Sequence, residues 1–161
     1  MQVLWAPWRM EYILNTEKET GCLFCNRIEQ NQDKKNLIVF RAKSALVMMN
    51  RFPYNNGHLL IMPKRHIAEL HQLKPSEILE INHLLSLSLR ALKQAISPDG
   101  FNLGLNLGKL AGAGVLDHIH WHLVPRWSGD TNFMPVIAET KVMPEHLHAV
   151  YAKLKKAFNQ E

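Results

Sequence analysis

The stretch Asp117–Arg126, reading Asp-His-Ile-His-Trp-His-Leu-Val-Pro-Arg, constrains this chain more than any other. His118, His120 and His122 fall at every second position, with Ile119, Trp121 and Leu123 between or just beyond them. Extended backbone sends successive side chains to opposite faces, so a strand would gather the imidazoles on one face and the apolar residues on the other. A helix would splay residues two apart. Ile119, Trp121 and Val124 favour a strand, and Pro125 is expected to mark its end. A lone histidine on a half-exposed strand is an ordinary polar residue. Three on one face concentrate titratable groups that a metal, a phosphate or a hydrogen-bond network would use.

The chain has 161 residues, 47% of them hydrophobic and 20% charged, which suits a single domain with a real core. No apolar run approaches the length of a membrane span. Arg9 and Glu11 interrupt the opening segment, so no signal peptide is expected, and the cytoplasm is the default compartment. The net charge of +5 suits an anionic partner. The excess is spread over Lys34 and Lys35, Lys64 and Arg65, and Lys153, Lys155 and Lys156. It forms no basic stripe interleaved with aromatics, which argues against a nucleic-acid module. Cys22 and Cys25 are the only cysteines, spaced Cys-x-x-Cys. One disulfide would be a poor staple here; the spacing suits a zinc knuckle or a redox pair better.

Along the chain, Leu37–Phe40, Ala45–Met49 and His58–Pro63 read as strands, with the turn-rich Asn50–Gly57 before the third. His66–Leu73 suggests a short helix. Pro75 suits the first turn of a longer one over 75–97, where Ile78, Ile81, Leu85, Leu89, Leu92 and Ile96 recur at helical spacing as a core stripe. Phe101–Leu107 reads as a strand with Asn102 and Asn106 on one face. Gly108–Gly114 is a glycine-rich loop, Pro135–Ile137 a possible further strand, and Pro144–Phe158 a second helix. Strands and helices are segregated, which predicts an α+β fold with a mainly antiparallel sheet.

His118-Ile119-His120-Trp121-His122-Leu123-Val124 resembles the signature of the histidine-triad family of nucleotide hydrolases and transferases. Pro125-Arg126-Trp127-Ser128-Gly129-Asp130 and the tryptophan-rich opening, Leu4 to Ile13, resemble the branch of the fragile-histidine-triad protein and the dinucleoside-tetraphosphate phosphorylases. The resemblance covers the chain from Leu4 to Phe133. It implies a single domain over 1–161 with residues 1–21 as an N-terminal extension, about five strands with helices packed on one face, and a homodimer. It also implies a nucleotidyl-transfer enzyme that cleaves dinucleoside polyphosphates, such as diadenosine tetraphosphate. The branch leans toward phosphate rather than water as acceptor. Rival readings are a nucleoside phosphoramidate hydrolase and a non-catalytic nucleotide-binding protein.

Carried over residue by residue, the resemblance makes His120 the nucleophile, and a neutral imidazole suits that role near neutral pH. His122 would fix the nucleophile's tautomer or donate to phosphate oxygens. His58, in the glycine-histidine strand Gly57–Pro63, would be its partner. Asn50 would lie near the sugar or base, and Phe52 would line the base pocket. Asn106, with Gly112, Ala113 and Gly114, would contact phosphate; the loop lacks Gly-Lys-Ser/Thr and is no nucleoside-triphosphatase loop. Trp127 would influence the fit of the second nucleotide. Pro63-Lys64-Arg65-His66 matches the family's Pro-x-x-His, which implies a structural zinc on Cys22, Cys25, His66 and His118.

Overall fold

A computed structural model describes residues 20–130, 143 and 145–160. Its helices and strands follow as α1 (Leu23–Glu29), α2 (Asp33–Asn36), β1 (Ile38–Arg41), β2 (Ala45–Met49), β3 (Leu59–Pro63), α3 (Pro75–Ile96), β4 (Gly100–Leu105), β5 (Trp121–Arg126) and α4 (Leu147–Phe158). Single 3-10 turns lie at Leu70–Gln72 and Lys109–Ala111. All of the N-terminal extension except residues 20 and 21, the strand expected at Pro135–Ile137, the Asn132-Phe133 segment and Pro144 lie outside the described residues.

The strands form one five-stranded antiparallel sheet in the order β1-β2-β3-β5-β4. This is the α+β architecture that segregated strands and helices predict. β2 and β3 sit inside the sheet and are buried along their whole length. Their alternate side chains feed two cores. Val47, Met49, Leu59 and Ile61 pack with α3 and α4, joined from β5 by Leu123 and from the segment before it by Ile119. Leu46, Met48, Leu60 and Met62 face the other way, toward Cys22 and Phe24 of the N-terminal segment. The long helices thus lie on one face as expected. The short helix α1 covers part of the opposite face, because the apolar even positions of β2 and β3 need their own cover. Each such fully buried aliphatic side chain contributes about 1.5–3 kcal/mol relative to exposure.

Helix α3 begins where Pro75 takes a position that needs no N–H donor, and the Glu77 carboxylate accepts the Lys74 N–H at 2.8 Å. It ends at Ser97, whose left-handed φ of 46° stops the turn. The buried stripe runs through Ile81, Leu84, Leu85, Ala91 and Leu92. Ile78 departs from expectation: it is 44% exposed, while Glu77 takes the inward position by pairing with Arg65 at 2.8 Å. Helix α4 is fixed across the sheet by Phe158, stacked on Phe40, and by the Tyr151 hydroxyl, which donates to the Ile38 carbonyl. Among the described residues no helix is long and apolar enough to cross a membrane.

Several boundaries differ from the sequence reading. Pairing of the histidine strand begins at Trp121, so His118–His120 form its extended lead-in. The Ile119 N–H donates to the Ile67 carbonyl at 2.7 Å, which ties this lead-in to the segment after β3. That tie leaves the expected 66–73 helix as a single 3-10 turn. Pro125 lies inside β5 rather than at its end. β3 pairs with β5 only as far as Leu123, so the missing donor of Pro125 interrupts no ladder; its carbonyl accepts from the Asn55 amide at 3.1 Å. β4 ends at Leu105, before Asn106.

Candidate active site and metal centre

The alternation carries the chemistry where the sequence puts it. Ile119, Trp121 and Leu123 pack into the helix-side core, and the histidines occupy the other face. His118 is fully buried, His120 is 6% exposed, and their rings meet the edge of Phe24 at centroid distances of 5.6 and 5.0 Å. His120 and His122 lie 4.9 Å apart, centroid to centroid.

Hydrogen bonds to groups that can only donate or only accept fix the tautomers. The His120 Nδ1 lies 2.8 Å from the His118 carbonyl, so Nδ1–H donates and Nε2 keeps its lone pair. Burial holds this imidazole below its ordinary pKa, which keeps it neutral and nucleophilic at pH 7. The Tyr54 N–H donates to His58 Nδ1 at 3.0 Å, which places the His58 proton on Nε2. That N–H donates to His122 Nδ1 at 2.9 Å. The remaining proton of a neutral His122 therefore sits on Nε2, 3.4 Å from Asn106 Nδ2, and the Asn106 carboxamide accepts it through its oxygen when turned end for end. Burial first, and then the neighbouring His120, push His122 down to about 4, so it stays neutral at physiological pH. The pair presents a bare Nε2 on His120 and an Nε2–H on His122.

The turn before β3 supports this relay. Asn50 Nδ2 lies 3.3 Å from His58 Nδ1, and its carbonyl oxygen accepts the Phe52 N–H at 2.9 Å. Asn50 is thus engaged with His58 and the turn. Gly57 adopts φ +72° and packs so closely that an added Cβ would lie 2.5 Å from Ile96 Cδ1. In the glycine loop, the Gly112 N–H donates to the Lys109 carbonyl and the Ala113 N–H to the Gly108 carbonyl. Two of the expected anion donors are thus engaged within the loop, and Gly114 has open space around it. Trp127 donates its indole N–H to the Ser97 carbonyl at the end of α3. A cavity of about 200 Å³ opens beside His120, lined by Asn106, Gly108, Lys109, Glu69 and His118 among others.

Tyr54 and Phe24 also serve the site, though no motif in the sequence marks them. Tyr54 fixes the His58 tautomer through its backbone and stacks its ring on His122 at 5.5 Å and 17°. Its place in the turn four residues before His58 was the available signal. For Phe24 the signal was its position between the cysteines.

A second cluster lies behind the triad. Cys22, Cys25, His66 and His118 place one ligand atom each within 4.8 Å of one another. His118 Nε2 lies 2.9 Å from the Pro63 carbonyl and so carries the proton, which turns the bare Nδ1 toward Cys22 Sγ at 3.5 Å and Cys25 Sγ at 3.6 Å. His66 Nδ1 lies 3.4 Å from Cys25 Sγ. Burial, then Cys22, push the Cys25 thiol up to about 11, so this thiol keeps its proton until a cation displaces it. Both cysteines are free thiols. Four N and S donors around one point could hold a metal ion, and zinc favours this donor set.

The HIT domain pattern matches residues 31–129. The chain is 38% identical over 155 residues to an AP-4-A phosphorylase of Mycobacterium tuberculosis, covering 91% of this chain and 79% of that protein. It is 29% identical over 106 residues to an adenosine 5'-monophosphoramidase of Schizosaccharomyces pombe, covering 66% and 74%. Among solved structures it resembles a Zn-bound histidine triad family protein from Mycobacterium smegmatis, with a TM-score of 0.70, 25% identity, and 87% and 94% of the chains covered.

Proposed function

Because this chain belongs to the HIT domain family, we propose that it cleaves dinucleoside polyphosphates, such as diadenosine tetraphosphate, through a nucleotide carried covalently on His120. The carrying observation is the 2.8 Å bond from His120 Nδ1 to the His118 carbonyl, which leaves Nε2 as the free nucleophile. Nε2 attacks the α-phosphorus, the bond to the bridging oxygen breaks, and the electron pair leaves with the nucleoside triphosphate. The Nε2–H of His122, fixed through His58 and the Tyr54 N–H, donates to the phosphoryl or leaving oxygen. An acceptor then attacks the same phosphorus, and Nε2 takes back its pair. Phosphate as acceptor gives ADP; water gives AMP. The 38% identity to an AP-4-A phosphorylase supports phosphate. The identity to a monophosphoramidase supports a second reading, in which a phosphoramidate is the donor at the same His120.

Structural zinc on Cys22, Cys25, His66 and His118 is part of this reading, supported by the converging donors. It would tie the N-terminal segment to the histidine strand. The chain acts as a homodimer in the cytoplasm. Among the described residues β4 is an edge strand, and its exposed Leu103, with exposed Leu107, Leu110 and Leu116 in the loop that follows, supports a second copy as the partner.

The test is to incubate the protein with diadenosine tetraphosphate, with and without phosphate, and separate the products. The expected products are ATP with ADP when phosphate is present. His120→Asn lowers turnover by about a thousandfold or more. Ready cleavage by that variant would remove His120 from the mechanism.

A further inference from the structure

The wall of the cavity beside His120 includes a lysine for which the mechanism so far has no use. Lys109 lines it together with Asn106, Gly108 and His120. Lys109 is the only lysine or arginine among the residues lining it. Glu69 also lines it, but its carboxylate accepts the backbone N–H of Gln72 in the adjoining 3-10 turn. The backbone of Lys109 is fixed by the Gly112 N–H to its carbonyl, whereas no ion pair involves its ammonium group among the described residues. At about 200 Å³ the cavity is larger than one water needs and has room for a phosphate group.

We propose that Lys109 selects the acceptor: it holds an inorganic phosphate anion in the cavity beside His120 and so directs the nucleotidyl-histidine toward phosphorolysis. This rests on the function proposed above and identifies what that reading left open, the discrimination between phosphate and water. An in-line displacement brings the acceptor to the place from which the leaving chain departed. One ammonium group there serves the β-phosphoryl group of the donor in the first step and free phosphate in the second. In the second step a phosphate oxygen bonds to the α-phosphorus as the Nε2–P bond breaks. The electron pair returns to Nε2, while Nδ1 keeps its proton on the His118 carbonyl throughout. The attacking oxygen of hydrogen phosphate already carries negative charge, so the step needs no base. Water must give up a proton and gains nothing from the ammonium group.

The test is the partition of products from diadenosine tetraphosphate at fixed phosphate concentration. ADP and AMP arise from one intermediate, so their ratio is insensitive to folding and to donor binding. Losing a charge-assisted contact to phosphate lowers the ADP-to-AMP ratio of Lys109→Met about tenfold and raises the KM for phosphate by a similar factor. Lys109→Arg keeps the ratio within about threefold of wild type. An unchanged ratio in Lys109→Met would overturn the assignment while leaving the phosphorylase reading intact. Wild-type protein that yields AMP and no ADP at any phosphate concentration would overturn both.

Discussion

Gly57→Ala tests the corner that aims the site. Gly57 precedes His58 and adopts φ +72°, a left-handed conformation that costs a residue with a Cβ about 1 kcal/mol. Its new methyl group would meet Ile96 Cδ1 at 2.5 Å, Leu92 Cδ2 at 3.2 Å and Pro125 Cγ at 3.4 Å. Ile96 is partly buried near the end of α3, and the far end of its side chain can swing away. Leu92 is fully buried and cannot. Repacking therefore falls toward the low side of the usual overpacking range, about 1–2 kcal/mol. Alanine also restricts the unfolded chain, which returns about 0.5 kcal/mol. The balance is a loss of about 2 kcal/mol. With a urea m-value of about 2 kcal/mol/M for a chain of this size, the unfolding midpoint falls by about 1 M at unchanged slope. Gly100→Ala is the control. Gly100 has no left-handed φ and nothing within 4 Å of its added Cβ, so its midpoint stays within about 0.3 M of wild type. A Gly57→Ala midpoint matching the control would refute the claim that this turn is sterically closed.

Metal analysis of protein purified without chelator gives stoichiometric zinc. Stripping it, or replacing Cys25 by Ser, lowers the melting temperature because the N-terminal segment loses its link to the histidine strand. Zinc-free protein whose melting temperature ignores chelator would remove the metal from this account. Glu77 supplies the pH dependence of stability. Arg65, bonded to its carboxylate, holds it down to about 2 from an ordinary 4.5. A depressed carboxyl contributes stability that is present above its unfolded pKa and lost as pH falls through its folded value. The contribution is about 1–2 kcal/mol at pH 7, below the full linkage value because Arg65 is 39% exposed. Glu77→Gln loses it, so urea midpoints of variant and wild type differ at pH 7 and converge as pH falls from 4.5 toward 2; an equal gap at both ends would contradict the assignment.

The parts of this protein that read out of its sequence are those governed by a local period. Side-chain alternation assigns Ile119, Trp121 and Leu123 to the core and the histidines to the other face. The spacing of Ile81, Leu85 and Leu92 likewise marks the buried side of α3. The same reasoning fails at Ile78, where the Arg65–Glu77 pair decides which residue of the first turn faces inward. No local pattern encodes that pair. Periodicity places imidazoles on a face but is silent on where their protons sit. His120 and His122 differ because one ring faces the carbonyl of His118 and the other faces an N–H of His58. That second contact joins residues 64 positions apart and depends in turn on the backbone of Tyr54. The difference between His120 and His122 is therefore a property of the packed sheet, in which neighbouring strands set two chemically identical side chains to different tautomers. Lys109 follows the same logic. In sequence it is one cation of a scattered surplus, and only the fold of the glycine loop carries it to the wall of the cavity that His120 shares. Charge counted along the chain suits an anionic partner in general; a lysine on the cavity wall is what singles out the acceptor step in the proposed reaction.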